Sequence, residues 1–211
     1  MKMTRLSILM LAAAVAGFAQ QWEVGGSGGG SFLPMKSISG VPGSGSTGFQ
    51  PGFAVGGYLG QTISPHIGGE IRYMFMQSNL KVTGGGQTAT FSGQAHALHY
   101  DILIHTHPRG SRAQLYAAVG GGMKIYRGTG QPAAYQPAYQ FAYLTHAQKV
   151  EPMVSVGGGV KFELSEKISM RAEVRDYLTP FPKEVITPAP GANFGGWLHD
   201  IVPMVSISYG Y

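Results

Sequence analysis

The sequence predicts an all-β fold, an eight-stranded antiparallel up-and-down barrel that crosses a membrane. Three observations carry that prediction: an amphipathic last strand, alternating long and short connections between strand-like segments, and a shortage of charge. From Ile201 to the end, Ile201, Val205, Ile207, Tyr209 and Tyr211 fall on one face, and Met204, Ser206, Ser208 and Gly210 on the other. A strand turns successive side chains to opposite faces, so this period of two makes one side apolar and the other small and polar, the pattern of a membrane-spanning barrel strand. Charged residues make up 12% of the chain, against about 25% in soluble domains. A soluble globule of this size would be short of surface charge, whereas a wall facing lipid needs none.

The chain opens with Lys2 and Arg5, a nearly unbroken apolar run from Leu6 to Ala16, and the small residues Gly17-Phe18-Ala19. That is the order of a secretory signal peptide, so residues 1–19 are expected to be removed, leaving 20–211 as one barrel domain. A retained anchor helix would need about 20 apolar residues, and this run stops before Gln20 and Gln21. No second long apolar run exists, which excludes a helical membrane protein.

Eight strands are predicted near 21–29, 51–63, 67–77, 93–105, 113–126, 150–164, 168–178 and 199–211. The short connections are Ser64-Pro65-His66, the turn from Thr106 to Arg112 with Pro108 and Gly110, and Ser165-Glu166-Lys167. The long ones, about 30–50, 78–92, 127–149 and 179–198, are rich in Gly, Ser, Pro, Gln and Tyr. An even count brings both termini to the short-turn end. Paired glycines recur in mid-strand at Gly56-Gly57, Gly120-Gly121 and Gly157-Gly158. A phosphate-binding loop would place them between a strand and a helix; here strand-like residues continue on both sides, so they are read as room for a narrow, curved barrel.

A final strand that ends in an aromatic residue, here with Tyr209 and Tyr211, resembles the assembly signal of bacterial outer-membrane proteins. The mature chain as a whole resembles the small eight-stranded barrels of the OmpA transmembrane-domain and OmpX type. That resemblance implies a place in the cell outer membrane, with outer-membrane lipid and the barrel-assembly machinery as partners, turns on the periplasmic side and loops outside. It also implies a structural or surface-interaction role with no cofactor, no metal and no catalytic residues.

Charges inside the strands share the face opposite the apolar one. Ile71, Tyr73 and Phe75 oppose Glu70 and Arg72; Leu98, Tyr100, Ile102 and Ile104 oppose His99, Asp101 and His105; Val160, Phe162 and Leu164 oppose Lys161 and Glu163; Ile168, Met170, Ala172 and Val174 oppose Arg171, Glu173 and Arg175. A lipocalin-like soluble carrier of apolar ligands would put the apolar face inward; a membrane barrel does the reverse, with the charges compensating one another in the lumen. Glu70, Arg72, Asp101, Lys161, Glu163, Arg171, Glu173 and Arg175 are therefore expected to form a structural lumen core, since eight strands enclose just enough space for side chains. Pairing Ser165 with Ser169 across the turn would set Glu163 opposite Arg171 and Lys161 opposite Glu173, avoiding like-charge neighbours.

Other functions find weaker support. The formal charge of +5 includes Lys2 and Arg5, so the mature chain carries +3 with no basic cluster, too even for nucleic acid. His105 and His107, with Asp101, make an incomplete metal set. Ser92 with His96, or His199 with Asp200, could be fragments of the catalytic set of a lipid A-modifying enzyme, but the acid, base and nucleophile roles cannot be completed. In the loops, 127–149 groups Tyr135, Tyr139, Phe141 and Tyr143 with Pro132, Pro137 and glutamines, residues suited to binding a surface ligand or to the interfacial aromatic girdle. The loop 30–50 is a second candidate surface for a ligand, within a Gly- and Ser-dense stretch, 25–48, that reads as flexible.

If Tyr211 is part of an assembly signal, Tyr211→Asp lowers the amount of barrel inserted in the membrane more than it lowers the stability of folded protein. Quantitative surface labelling beside urea unfolding checks this, and normal surface levels of the variant would count against it.

Overall fold

The computed structural model describes residues 22–41, 43–108, 111–131 and 135–211. The expected leader 1–19, the turn residue Gly110 and the loop prolines Pro42 and Pro132 lie outside them. Among the described residues every element is a strand: β1 (Trp22–Ser31), β2 (Lys36–Ile38), β3 (Gly45–Phe49), β4 (Gly52–Thr62), β5 (Ile67–Gln77), β6 (Leu80–Gly84), β7 (Gln87–Phe91), β8 (Gly93–His105), β9 (Ala113–Gly128), β10 (Ala142–Leu144), β11 (Gln148–Glu163), β12 (Ile168–Pro180), β13 (Ile186–Pro188) and β14 (Trp197–Gly210).

Eight of them, β1, β4, β5, β8, β9, β11, β12 and β14, close into one antiparallel barrel in chain order, with β1 returning to β14. These are the eight predicted strands, each moved by at most two residues at an end. Tight turns join β4 to β5 and β11 to β12, and a seven-residue connection joins β8 to β9 at the same end. The amide of Tyr211 donates to the Trp22 carbonyl at 3.1 Å, so β1 begins and β14 finishes at the tight-turn end.

The faces sort as the period of two requires. Val205, Ile207 and Tyr209 are 55%, 60% and 44% exposed on the outer wall, while Val202, Met204, Ser206 and Ser208 are buried inside. Ile71, Ile102, Val119, Val156 and Val174 continue this apolar wall around the barrel, and Arg72, Asp101, Lys124 and Arg175 are fully enclosed. An apolar exterior around a charged interior is the arrangement of a membrane barrel and the inverse of a soluble carrier. Inward glycines make room for the large polar side chains: a Cβ on Gly157 would lie 2.6 Å from the Arg175 side chain.

Two expectations need correction. The described residues of 25–48, expected to be flexible, lie largely in strands. Residues up to Ser31 form β1, paired along its length with β4 and over seven residues with β14, and β2 and β3 follow. Ladder bonds on both sides supply what glycine's low strand propensity lacks.

The β11–β12 register also differs. Lys161 lies opposite Arg171, Glu163 opposite Ser169, and Gly159 opposite Glu173. Ser165 does not pair with Ser169, because its hydroxyl accepts the Ile168 amide at 3.1 Å. Leu164 and Ile168 close the strands, leaving Ser165-Glu166-Lys167 as the turn. The shift is two residues, so the faces are preserved and only the charge partners change.

The outer wall yields a quantitative expectation. Ile102, flanked by Gly69 and Val119 and 44% exposed, should on replacement by arginine cost about 2–4 kcal/mol if near the bilayer midplane. Reversible unfolding of the wild type and Ile102→Arg in lipid vesicles measures this, and a change near zero would contradict the lipid-facing placement.

Candidate functional site

The lumen is built from charges on seven of the eight barrel strands. Near the tight-turn end, Glu23 of β1 accepts from Lys161 Nζ and from Arg171 at 2.6 Å each, and from the Tyr58 hydroxyl at 3.1 Å. One carboxylate thus stands between the two cations that the register places side by side. Arg171 also reaches Glu70 at 2.7 Å, and Glu70 accepts from Arg72 and Arg175 at 2.9 Å each. Glu173 accepts from Arg72 at 2.7 Å, Arg175 at 2.9 Å and the Tyr116 hydroxyl at 2.8 Å. Arg175 bonds a third carboxylate, Asp101, whose other neighbour is His99 at 3.0 Å. Arg72 and Arg171 lie over the Tyr58 ring, 4.8 and 4.5 Å from its centroid. Higher up, Lys124 pairs with Asp200, which also accepts from Ser31 at 2.7 Å.

Charges buried this deeply are tolerated only when paired and hydrogen-bonded. Here each guanidinium meets at least two carboxylates, and hydroxyls of Ser27, Ser31, Tyr58 and Tyr116 take up some of the remaining positions. At the tight-turn mouth, Glu23, Gln61, His105, Gln114, Lys161 and Arg171 bound a space of about 40 Å³, room for roughly one or two waters.

Seven of the eight expected lumen residues join this network: Glu70, Arg72, Asp101, Lys161, Arg171, Glu173 and Arg175. Glu163 does not join its core. It sits at the rim, 3.6 Å from Lys161 and partly exposed. Members that sequence reasoning missed are Glu23, Tyr58, Tyr116, Lys124 and Asp200. Glu23 sits alone in a glycine-rich strand, and its only clue was the parity it shares with Ser27, an inward residue bonded to Ser206 at 2.8 Å.

The histidines are separated rather than gathered. His105 packs its ring on Tyr116, and His107 bonds Thr106 at 2.9 Å, while Asp101 is held by Arg175 and His99. His96 faces outward and bonds the Tyr73 hydroxyl at 2.8 Å. His199 and Asp200, being adjacent in a strand, point to opposite faces. His199 turns outward to Asp176 at 2.8 Å and Asp200 turns inward to Lys124. Among the described residues no hydroxyl nucleophile bonds the His199–Asp176 pair.

At the other end of the barrel the long connections fold into a cap. β2, β3, β6 and β7 form a four-stranded sheet, and β10 pairs with β13. Phe49, Leu80, Val82, Phe91, Phe141, Leu144, Phe181 and Ile186 make one apolar core with Met74, Met76 and Ala97 of the upper lumen. Phe49 stacks on Tyr126 with centroids 5.1 Å apart, and Phe181 meets Phe194 edge-on at 5.2 Å. Phe141 fills the space over Gly45 and Gly84, where a Cβ on Gly45 would lie 2.6 Å from the ring. Lys149 donates to Glu184 at 2.5 Å across the cap's edge, and that bond holds the Glu184 carboxyl below its ordinary range. Tyr135 and Tyr139, in edge contact at 5.7 Å, and Tyr143 remain exposed on the cap's surface. The sequence carried a signal for this sheet: alternation in 80–83 and 87–91 around Gly84-Gly85-Gly86 is a hairpin pattern.

No protein-family model matches the chain, and no curated protein sequence matches it either. Solved structures do. The N-terminal β-barrel domain of Pseudomonas aeruginosa OprF is 12% identical over 90% of this chain and 97% of that one, with a TM-score of 0.50. Neisserial surface protein A is 9% identical over 90% and 97%, with a TM-score of 0.53. The likeness is one of fold: the chain is a small eight-stranded barrel of the bacterial outer-membrane type.

The position of Glu23 between two cations sets an expectation. Glu23→Gln should destabilise the barrel by about 3–5 kcal/mol, the cost of leaving buried charge unpaired, and adding Lys161→Met should recover part of it. Equilibrium unfolding of the single and double variants checks this, and strictly additive effects would refute the bridging role.

Proposed function

We propose that this outer-membrane barrel is a plugged anchor whose work is done by its cap, which presents a rigid, tyrosine-bearing surface outside the cell to a macromolecular partner. The observation that carries this reading is the cap's own apolar core. Loops needed only to close a barrel can be short, yet here they bury Phe49, Phe91, Phe141 and Phe181 and still leave Tyr135, Tyr139 and Tyr143 exposed. Tyrosine offers large contact area at low entropic cost, and a preformed surface avoids the cost of ordering a loop on binding. The packed lumen supports the same reading from the other side, since ion pairs across the barrel interior occupy the space that a solute would need. The reading assigns no catalysis and no cofactor, and takes outer-membrane lipid and the barrel-assembly machinery as the chain's other partners.

Replacing 32–51, 78–92, 129–147 and 181–196 with short turns, while keeping the barrel, should abolish attachment of expressing cells to host-cell or matrix surfaces. The trimmed barrel should still migrate as a heat-modifiable band. The intact protein should show no stepwise conductance in planar bilayers. Unchanged attachment by cells carrying the trimmed barrel, or a steady channel from the intact protein, would overturn the reading.

A further inference from the structure

The apolar outer wall carries one acid and base in contact. Asp176 of β12 lies opposite Val156 on one side and Ile201 on the other, both lipid-facing, 45% and 37% exposed. Val174 and Leu178 precede and follow it on the same face. His199 of β14 lies opposite Leu178 and brings its Nδ1 to within 2.8 Å of the Asp176 carboxylate. Two residues nearer the cap on that face is Trp197, more than half exposed, a residue type that marks the edge of the hydrocarbon. The pair therefore faces the outer leaflet just below its polar boundary. Ionisable groups turned to lipid cost free energy, and they mark places that bind or relay something.

The bond within the pair fixes what it offers. An ionised carboxylate only accepts, so the neutral His199 ring donates its Nδ1 hydrogen and is left with Nε2 as an acceptor. Among the described residues nothing bonds that nitrogen, and the His199 side chain is about half exposed. His96, also on the upper outer wall, makes no such offer: its ring packs against Phe75 and its Nε2 is enclosed. Below His199 and Asp176 the wall is hollowed. Gly28, Gly158, Ala172, Val174, Pro203 and Val205 line a depression of about 480 Å³, and its upper end, the pair Val174 and Pro203, is the next outward row below Asp176 and Ile201. A Cβ on Gly28 would meet nothing within 4 Å.

We infer that this stretch of wall binds one outer-leaflet lipid that carries an O–H or N–H group at the head of an acyl chain, as an amide-linked, hydroxyacylated glycolipid does. The donor bonds Nε2 of His199, and the chain below it lies in the hollow across β1, β14, β12 and β11. A diacyl phospholipid brings ester oxygens to that depth. They are acceptors only and leave Nε2 unmatched in hydrocarbon, where no water replaces the missing bond. The site is separate from the cap, so its loss would leave the cap's proposed role untouched.

The test compares lipid A, whose chains are hydroxyacylated and amide-linked, with dimyristoyl phosphatidic acid, which shares its phosphate charge but has only ester-linked chains. Each probe is added to the protein in phosphatidylcholine nanodiscs, and its retention is measured by native mass spectrometry for wild type, His199→Phe, Asp176→Leu and Gly28→Leu. The wild type should retain lipid A about tenfold more strongly than phosphatidic acid. His199→Phe keeps a ring on the wall and removes the acceptor, and Asp176→Leu frees the imidazole from its orientation; both should lose the preference. Gly28→Leu fills the hollow and should weaken lipid A retention, with the heat-modifiable band kept in all three. In the wild type, the nitrogen resonance of His199 Nε2 should move with lipid A and not with phosphatidic acid, which reads the site even where a variant folds poorly. Equal retention of the two probes, a preference that survives in His199→Phe, or an unmoved Nε2 resonance would overturn the proposal. Disulfide-linked dimers of Ile201→Cys barrels that form equally with and without lipid A would identify a second copy as the occupant and overturn it too.

Discussion

Closure of eight strands into a ring dominates this molecule. The ring leaves an interior about as wide as the side chains that enter it, so an inward residue touches the opposite wall as readily as the neighbouring strand. Glu23 reaches from β1 to Lys161 on β11 and Arg171 on β12, and Glu70 reaches from β5 to Arg171 and Arg175. The ion pairs are chords across a circle rather than rungs of a ladder. Their strength comes from exclusion of water, which also makes any unpaired member costly. The glycines of β9 and β11 follow from the same crowding, since Asp101, His99, Glu173 and Arg175 on the neighbouring strands occupy the volume that a side chain there would need.

Much of the architecture was legible because it depends on periodicity. The alternation in 201–211, and the opposition of Ile71 to Arg72 or Val174 to Arg175, need only the two-residue repeat of a strand, and each of those residues points as expected. The pairings were not legible, for a definite reason. Cross-strand neighbours are the natural unit in an open sheet, and avoiding like charges there favoured Glu163 opposite Arg171. In the closed barrel, Lys161 and Arg171 can lie side by side because Glu23, some 140 residues earlier in the chain, inserts between them. Nothing local to β11 and β12 announces that third residue. His199 and Asp176 show the converse case: adjacency in sequence suggested Asp200, but a strand separates adjacent side chains and joins residues across the ladder.

The long connections show how loop composition misleads. Glycine and serine density suggested flexibility, yet in β1 the same residues are fixed by ladders on both sides, and in β3 and β6 they are the low points over which Phe141 lies. Small residues mark either freedom or close approach, and the large apolar residue that decides between the two came from 127–149, far along the chain. The cap and the upper lumen share one apolar core, so the loops are continuous with the barrel interior rather than appended to it.

The carboxylate that separates Lys161 from Arg171 belongs to the first strand, while those cations belong to the sixth and seventh strands of the ring. A partly zipped chain, with β1 not yet joined to β14, would hold Lys161 and Arg171 side by side without the carboxylate that separates them. Neutralisation of that pair is therefore completed as the seam joins. A barrel of this kind has reason to enter the membrane in a single cooperative step, with sealing and charge balance arriving together.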